Sequence, residues 1–384
     1  MATLSVGQGQ TYATIAAAVA ASSAGDTITV QAGTYTNDWL QIGHDLNLVA
    51  TGGWVRMVTE NAQPPNGKAA ITESGNVHIT GFDISGVTVP DANGAAIRYE
   101  GGNLTLDNVF IHDNQEGLLG APDATGSITI DHSEIARNGD GSGHTHGLYV
   151  GQISTFTLIN SYVHDTNEGH EVKSRAASNI IQNNRIFDNN STASYSIDLP
   201  NGGAATITGN VIQQGPNSHN PAIMAYGEEG LATGYSVGAT VSGNTFINDQ
   251  PGGYLLLNPG GYPFGFADGT VFGLTQGGTV LAARPPLDLA SIQFLGSPPP
   301  SSPPPPVEQP PLPPATPPPT EIPPTSDPIL TPLEQYHADV LADFMAWAAV
   351  NPKLSTKPQT LKVFSREMNS TSVLGILPGD HWSN

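Results

Sequence analysis

Between Val77 and Phe246 seven segments share one pattern, apolar at the third and eighth positions and, in all but the one that begins with Asn179, at the first. They are VHITGFDI from Val77, LTLDNVFI from Leu104, ITIDHSEI from Ile128, FTLINSYV from Phe156, NIIQNNRI from Asn179, ATITGNVI from Ala205 and ATVSGNTF from Ala239. Their starts lie 27, 24, 28, 23, 26 and 34 residues apart. Alternation within each segment predicts a strand with one buried face, and the Gly, Asn and Asp residues around it predict turns. One short strand per repeat, recurring at this period, is what a parallel β-helix produces, because each coil buries its inner face only against its neighbours.

The sixth position of the seven segments reads Phe82, Val109, Ser133, Ser161, Asn184, Asn210 and Asn244. Three asparagines in successive coils predict a ladder of side-chain amides hydrogen-bonded along the axis. Ahead of the repeats, Thr11 to Ala21 has the pattern of an amphipathic helix capping the first coil, and GDTITVQAGTY follows as the entry strand. An open coil end needs such a cover, since it exposes both core and strand edges.

The pattern changes near residue 297. From Pro298 to Pro332, 18 of 35 residues are proline, which favours extended polyproline II and forbids a packed core. Residues 297–331 are therefore expected to be a stiff spacer after a β-helix domain spanning 27–296 and a cap at 1–26. Beyond it, TPLEQYHADVLADFMAWAAVNP predicts a helix with Thr331 as N-cap, Pro332 at the first position and Glu334 at the third. Tyr336, Val340, Phe344 and Trp347 share one face of that helix. A lone helix cannot bury such a stripe, so residues 332–384 are expected to bind a partner protein, self-associate, or serve attachment or export.

Composition narrows the function. Acidic residues outnumber basic ones 33 to 12, for a formal charge of −21, which repels nucleic acid and anionic membranes at long range. Neither nucleic-acid binding nor membrane insertion is expected. Cysteine is absent, which excludes disulfides and thiolate metal sites. The N-terminal apolar run Ile15 to Ala21 is short, Ala-rich and lacks a basic flank, so any export is expected to use a route other than a signal peptide there.

In so acidic a chain, NEGHEVKSRAASNIIQNN stands out, with Lys173 and Arg175 beside Glu171 and His170. A further strand precedes each aligned segment: AAIRYE, GLLG, HGLYVG, HEVKSR, YSIDLP, PAIMAY and YLLLNP. With Leu148, Val150, Val172, Ile197, Leu199, Ile223 and Ala225 inward, alternation turns Tyr149, Glu171, Lys173, Asp198 and Tyr226 outward. Arg175 joins them if the strand runs that far, and Arg98 has the matching place in an earlier coil. Coils about 4.8 Å apart bring these groups within reach of one sugar unit. Tyr149, Lys173, Arg175, His146 and His170 are the candidate catalytic residues. Glu171, Asp198, His144, Tyr226 and Arg98 are the candidate substrate-binding residues. A surface salt-bridge network is the competing reading.

The GHTHG turn raises a metal alternative, with His144, His146, His170 and Glu171 around zinc. The turns HDNQEG and HDTNEG, with RNGDGSG between them, place Asp113, Asp140, Asp165 and Glu168 as oxygen donors. Asp140, Asp165 and Glu168 are the candidate ligands of a Ca²⁺ ion. A stack of solvated turns is the alternative.

The segment TYATIAAAVAASSAGDTITVQAGTY together with the coils resembles right-handed parallel β-helix proteins of the pectate-lyase-like superfamily, across roughly residues 5 to 290. This implies an N-terminal cap and a right-handed body. The stretch GHEVKSRAASNIIQNN is also similar to the lysine-bearing coil of chondroitinase B and related alginate lyases, where a Lys-Ser pair precedes two asparagines. That resemblance implies that Lys173 is the base abstracting the proton α to a uronate carboxyl. The family's acid arginine belongs to the next coil, where this chain has YSIDLPNGG, and Arg175 is the candidate substitute. The expected function is lysis or C5 epimerisation of an acidic polysaccharide, outside the cell or at a cell or virion surface. A non-catalytic carbohydrate-binding spike is one alternative, and a glycoside hydrolase using Glu171 and Asp198 is another.

Overall fold

A computed structural model describes residues 1–274, 280–281 and 290–295, all within the unit Met1–Ala315. The expected spacer at 297–331 and the expected helix and tail at 332–384 lie outside the described residues. Every pairing between the described strands is parallel, and each strand bonds to the one a full coil earlier and a full coil later. The described residues form an all-β, right-handed parallel β-helix.

The aligned segments keep one register throughout. Leu104, Ile128, Phe156, Asn179, Ala205 and Ala239 stack in one column, and Leu106, Ile130, Leu158, Ile181, Ile207 and Val241 in another. The apolar members of both columns are buried in the continuous core. That register is fixed because a slip of one residue would turn each apolar set to the solvent.

The amide ladder forms as its sequence predicts. Asn184 Nδ2 donates to Asn210 Oδ1 at 3.0 Å, and Asn210 Nδ2 to Asn244 Oδ1 at 2.9 Å. The ladder continues in hydroxyls: Val109 N–H donates to Ser133 Oγ, Ser133 N–H to Ser161 Oγ, and Ser161 N–H to Asn184 Oδ1. Each rung satisfies a backbone N–H at a buried corner, which would otherwise cost about 1–3 kcal/mol.

At the N-terminus the helix is shorter than its pattern suggests, Ile15–Ala21. Thr14 is the N-cap, and the Asp38 carboxylate accepts from the free N–H groups of Ile15 and Ala16 at 2.5 and 3.0 Å. Tyr12 instead bridges to Val6, which keeps residues 11–13 out of the helix. Ile15, Ala18 and Val19 are its buried face.

Candidate functional site

The site is built on the strands Leu148–Val150, Val172–Ser174, Ile197–Leu199 and Ala222–Tyr226, which lie in successive coils. Leu148, Val172, Ile197 and Met224 stack in the core, as do Leu199 and Tyr226. The positions between them point outward: Tyr149 pairs with Lys173, Lys173 with Asp198, and Asp198 with Ala225. Two expected members of the face are elsewhere. Tyr226 faces inward and is fully buried, its hydroxyl donating to the Gly203 carbonyl at 2.7 Å and accepting from Gly238 N–H. Its strand is apolar at every position, so parity could not be read, and the true inward set is one residue out of step with the expected one. Glu171 precedes its strand and turns into the coil, where Thr166 N–H and Oγ1 donate to its carboxyl at 3.0 and 2.6 Å.

Local hydrogen bonds aim the two cations. Ser174 Oγ donates to Asn179 Oδ1 at 2.6 Å and accepts from Ala176 N–H, and Asn179 Nδ2 donates to the Ala176 carbonyl. The Ser and first Asn of the sequence signature are thus buried and shape the turn that follows the strand. Arg175, one residue past the strand, is brought back over the face, donating from Nε to Tyr149 Oη at 2.9 Å and from Nη1 to Asn201 Oδ1. Its guanidinium carbon lies 5.6 Å from the Tyr149 ring centre.

Lys173 points outward but is only 7% exposed, because neighbours cover it. Its Nζ lies 3.0 Å from Asp198 Oδ2 and 3.2 Å from Glu229 Oε1. Burial alone would lower its pKa, but the charge and hydrogen bond of Asp198, joined by Glu229, override this and hold it above the ordinary lysine value. A base tuned to neutrality would be shifted the other way. Asp198 is fully buried, and its carboxyl is coupled to that of Glu228. Burial raises both carboxyls, so the pair retains one proton near neutrality.

Beside this cluster runs a stack of rings, His146, His170 and Tyr195, with centres 4.8 and 5.1 Å apart. His146 also stacks on Tyr149 at 5.5 Å. His170 N–H donates to His146 Nδ1, and Tyr195 N–H to His170 Nδ1, at 3.0 and 3.2 Å. A neutral imidazole accepting at Nδ1 carries its proton on Nε2. His170 Nε2 lies 3.3 Å from Asp198 Oδ2. Burial first, then the nearby Lys173 and Arg175 charges, push His146 down to about 3, while His170 is lowered by burial, His146 and the same cations. Both are therefore neutral donors near pH 7.

Of the remaining candidates, His144 is exposed. Arg98 lies on the same outward column, separated from Tyr149 by the coil of Leu119, and its Nε pairs with Glu100 at 2.8 Å. Glu228, Glu229, Asn201 and Tyr195 are site residues that sequence reasoning missed. A visible signal was the acidic doublet between glycines, GEEG, in a chain only 12% charged.

The expected Ca²⁺ ligands do not converge. Asp140 accepts from Ser142 and Thr145, Asp165 pairs with His164 and Asn189, and the carboxylate of Glu168 lies 3.7 Å from His219. Asp140 helps to close its own turn, and the other two reach separate partners. His144, His146, His170 and Glu171 do not gather either, since Glu171 lies inside the coil and both His146 and His170 have Nδ1 occupied. Among the described residues, the one group able to offer three ligand atoms within 4.8 Å of one another is Asp107, Asp131 and His132.

Proton placement gives these surroundings a pH dependence. His164 bonds Asp165 and Glu134 at 2.5 and 3.2 Å; against the effect of burial, these bonds push it up to about 9. Its folded value exceeds the unfolded one of about 6.5, so its stabilisation is fully present below about pH 6.5 and lost as pH rises to about 9. Glu171 is pushed up to about 8 by burial despite its Thr166 bonds, so it too holds a proton that the unfolded chain has released. The melting temperature is therefore expected to fall between pH 6.5 and 9. Glu171→Gln should flatten the lower part of that fall and His164→Gln the upper part. A melting temperature that rises across this window would contradict these assignments.

Residues 68–246 match the family described as right handed beta helix region. The fold is similar to that of pectate lyase Pel9A, whose crystal structure aligns with a TM-score of 0.50 over 76% of this chain and 78% of that one, at 14% sequence identity. None of the curated proteins matches the chain in sequence. With the parallel coils already described, these findings define the chain as a right-handed parallel β-helix of the pectate-lyase-like fold.

Proposed function

We propose that the chain acts on a polymer of uronic acid by removing the C5 proton, giving β-elimination or C5 epimerisation. One observation carries this reading: Arg175 and Lys173 together grip a carboxylate, that of Glu229, directly beside a phenol oxygen held by Arg175. A uronate carboxyl bound in the same way would have its charge neutralised, which is what makes its C5 proton removable. Arg175 and Lys173 bind the carboxyl and stabilise the charge that moves into it, and Asn201 Oδ1 holds Arg175 in place. Tyr149 Oη, having first given its own proton to solvent, takes the C5 proton, with Arg175 Nε–H stabilising the phenolate before transfer. In elimination the C4–O4 bond then breaks and O4 takes up a proton. In epimerisation C5 is reprotonated from its other face. Once it carries the C5 proton, Tyr149 is itself the O–H donor beside the leaving O4.

Lys173 has the role of a cation in this reading, in place of the base role that the lyase resemblance implies, because two carboxylates keep it protonated. The hydrolase alternative has less support. Of its two carboxyls, Glu171 lies inside the coil and accepts from Thr166, away from the outward face that carries Asp198. That the structural neighbour is a pectate lyase is consistent with an acidic polysaccharide substrate. Incubation with a panel of uronate polymers tests the proposal: new ultraviolet absorbance from unsaturated ends, or an altered ratio of C5 epimers, supports it. Retention of a polymer with neither change would support the non-catalytic binding alternative instead.

A further inference from the structure

The carboxylate that fills the site belongs to the chain itself. Glu229 Oε2 lies 2.7 Å from Arg175 Nη1, and its Oε1 lies 3.1 Å from Nη2 and 3.2 Å from Lys173 Nζ. This is the two-pronged geometry by which a guanidinium recognises a carboxylate of any origin. Glu229 comes from the loop after the strand Ala222–Tyr226, two coils beyond Arg175, and reaches back across the intervening coil.

The loop is held in place by polar contacts at its edge. Glu229 N–H donates to the Pro200 carbonyl at 3.1 Å, Ala232 N–H to the Asn201 carbonyl at 3.0 Å, Asn201 Nδ2 to the Gly230 carbonyl, and Tyr235 Oη to the Arg175 carbonyl at 3.2 Å. Its large apolar residues Leu231 and Val237 are exposed, at 37% and 39%, so they do not anchor it in the core. Gly227 and Gly230, with φ of 68° and 88°, lie on either side of the acidic pair in a conformation that favours glycine.

We infer that Glu229 is a built-in competitor for the substrate carboxyl, and that the 227–237 loop must lift from Arg175 and Lys173 before a polymer can bind. This rests on the proposed reading of those two cations as a uronate site. A tethered competitor acts at an effective concentration in the millimolar range or above, so a ligand with one carboxyl is kept out. A polymer, whose further residues contact neighbouring coils, can displace it. The loop therefore selects for chain length, admitting oligomers and excluding free uronic acid.

The test compares wild type with Glu229→Gln by calorimetric titration with galacturonate, mannuronate, guluronate and glucuronate, each as monomer and as oligomer. Asp91→Asn, which removes an exposed carboxylate elsewhere, controls for charge. Glu229→Gln is expected to bind oligomers roughly tenfold tighter or more, since the binding-competent fraction rises, and to bind the monomer detectably. Asp91→Asn should bind as wild type does. In wild type, saturating oligomer should speed hydrogen exchange at the Glu229 and Ala232 amides, whose bonds to the coil are broken as the loop lifts. Equal or weaker oligomer binding by Glu229→Gln, or slower exchange at those amides, would overturn the competitor role while leaving the uronate site standing. Failure of both proteins to bind any of the oligomers would overturn the uronate reading, and this inference with it.

Discussion

Tyr149→Phe is expected to lower turnover of a uronate polymer by about 10²–10⁴, the usual cost of losing a proton-transfer group, with little change in stability. Only an oxygen is removed. The ring keeps its stack on His146, and Arg175 keeps its two bonds to Glu229 and its bond to Asn201, so the guanidinium is not stranded. Polymer affinity should change by a few-fold at most, because Arg175 and Lys173 remain to hold the carboxyl. Rate and affinity therefore separate in this variant. Turnover by Tyr149→Phe within a few-fold of wild type would remove Tyr149 from the chemistry.

Lys173→Ala is expected to destabilise the fold by about 3–5 kcal/mol, the range found when one member of a buried ion pair is deleted. The side chain points away from the core, and alternation alone would mark the change as harmless. Yet Asp198 is fully buried, and Lys173 lies 3.0 Å from it. Without the ammonium, Asp198 must take up a proton or remain charged out of water, and either costs stability at neutral pH. The double variant Lys173→Ala with Asp198→Asn should recover much of the loss, since the stranded charge is gone. Urea unfolding of the two single variants and the double variant measures this coupling. If the two losses simply add, Lys173 and Asp198 are independent, and the buried pair is not what holds this face together.

The sequence revealed the solenoid because its information is periodic. A buried position repeats once per coil, so seven weak signals reinforce one another, and the asparagines at 184, 210 and 244 announce their own ladder. Alternation also placed Tyr149, Lys173 and Asp198 outward, since Tyr149 and Asp198 are each flanked by two apolar residues and Lys173 follows Val172. It misplaced Glu171 because alternation holds only within Val172–Ser174, and the preceding residue belongs to a turn. It misplaced Tyr226 because Ala222–Tyr226 is apolar throughout, leaving no polar position to set the parity.

Glu228 and Glu229 were beyond this kind of reading. They lie in a loop that folds back over earlier coils, more than 50 positions from Arg175 in sequence, and no period marks where such a loop lands. The protonation of Lys173 depends on those same residues. A lysine read beside Arg175 alone could be lowered toward neutrality; between Asp198 and Glu229 it is raised.

Proton nuclear magnetic resonance of a uronate polymer incubated with the protein in heavy water is the most direct test of C5 proton chemistry. For a polymer that the protein binds, the account predicts either loss of the C5 proton signal as deuterium enters from solvent or growth of the vinyl proton of a C4–C5 double bond, with both changes strongly slowed in Tyr149→Phe. A polymer that is bound and keeps every C5 proton, whether left intact or cut to ordinary reducing ends, would contradict it.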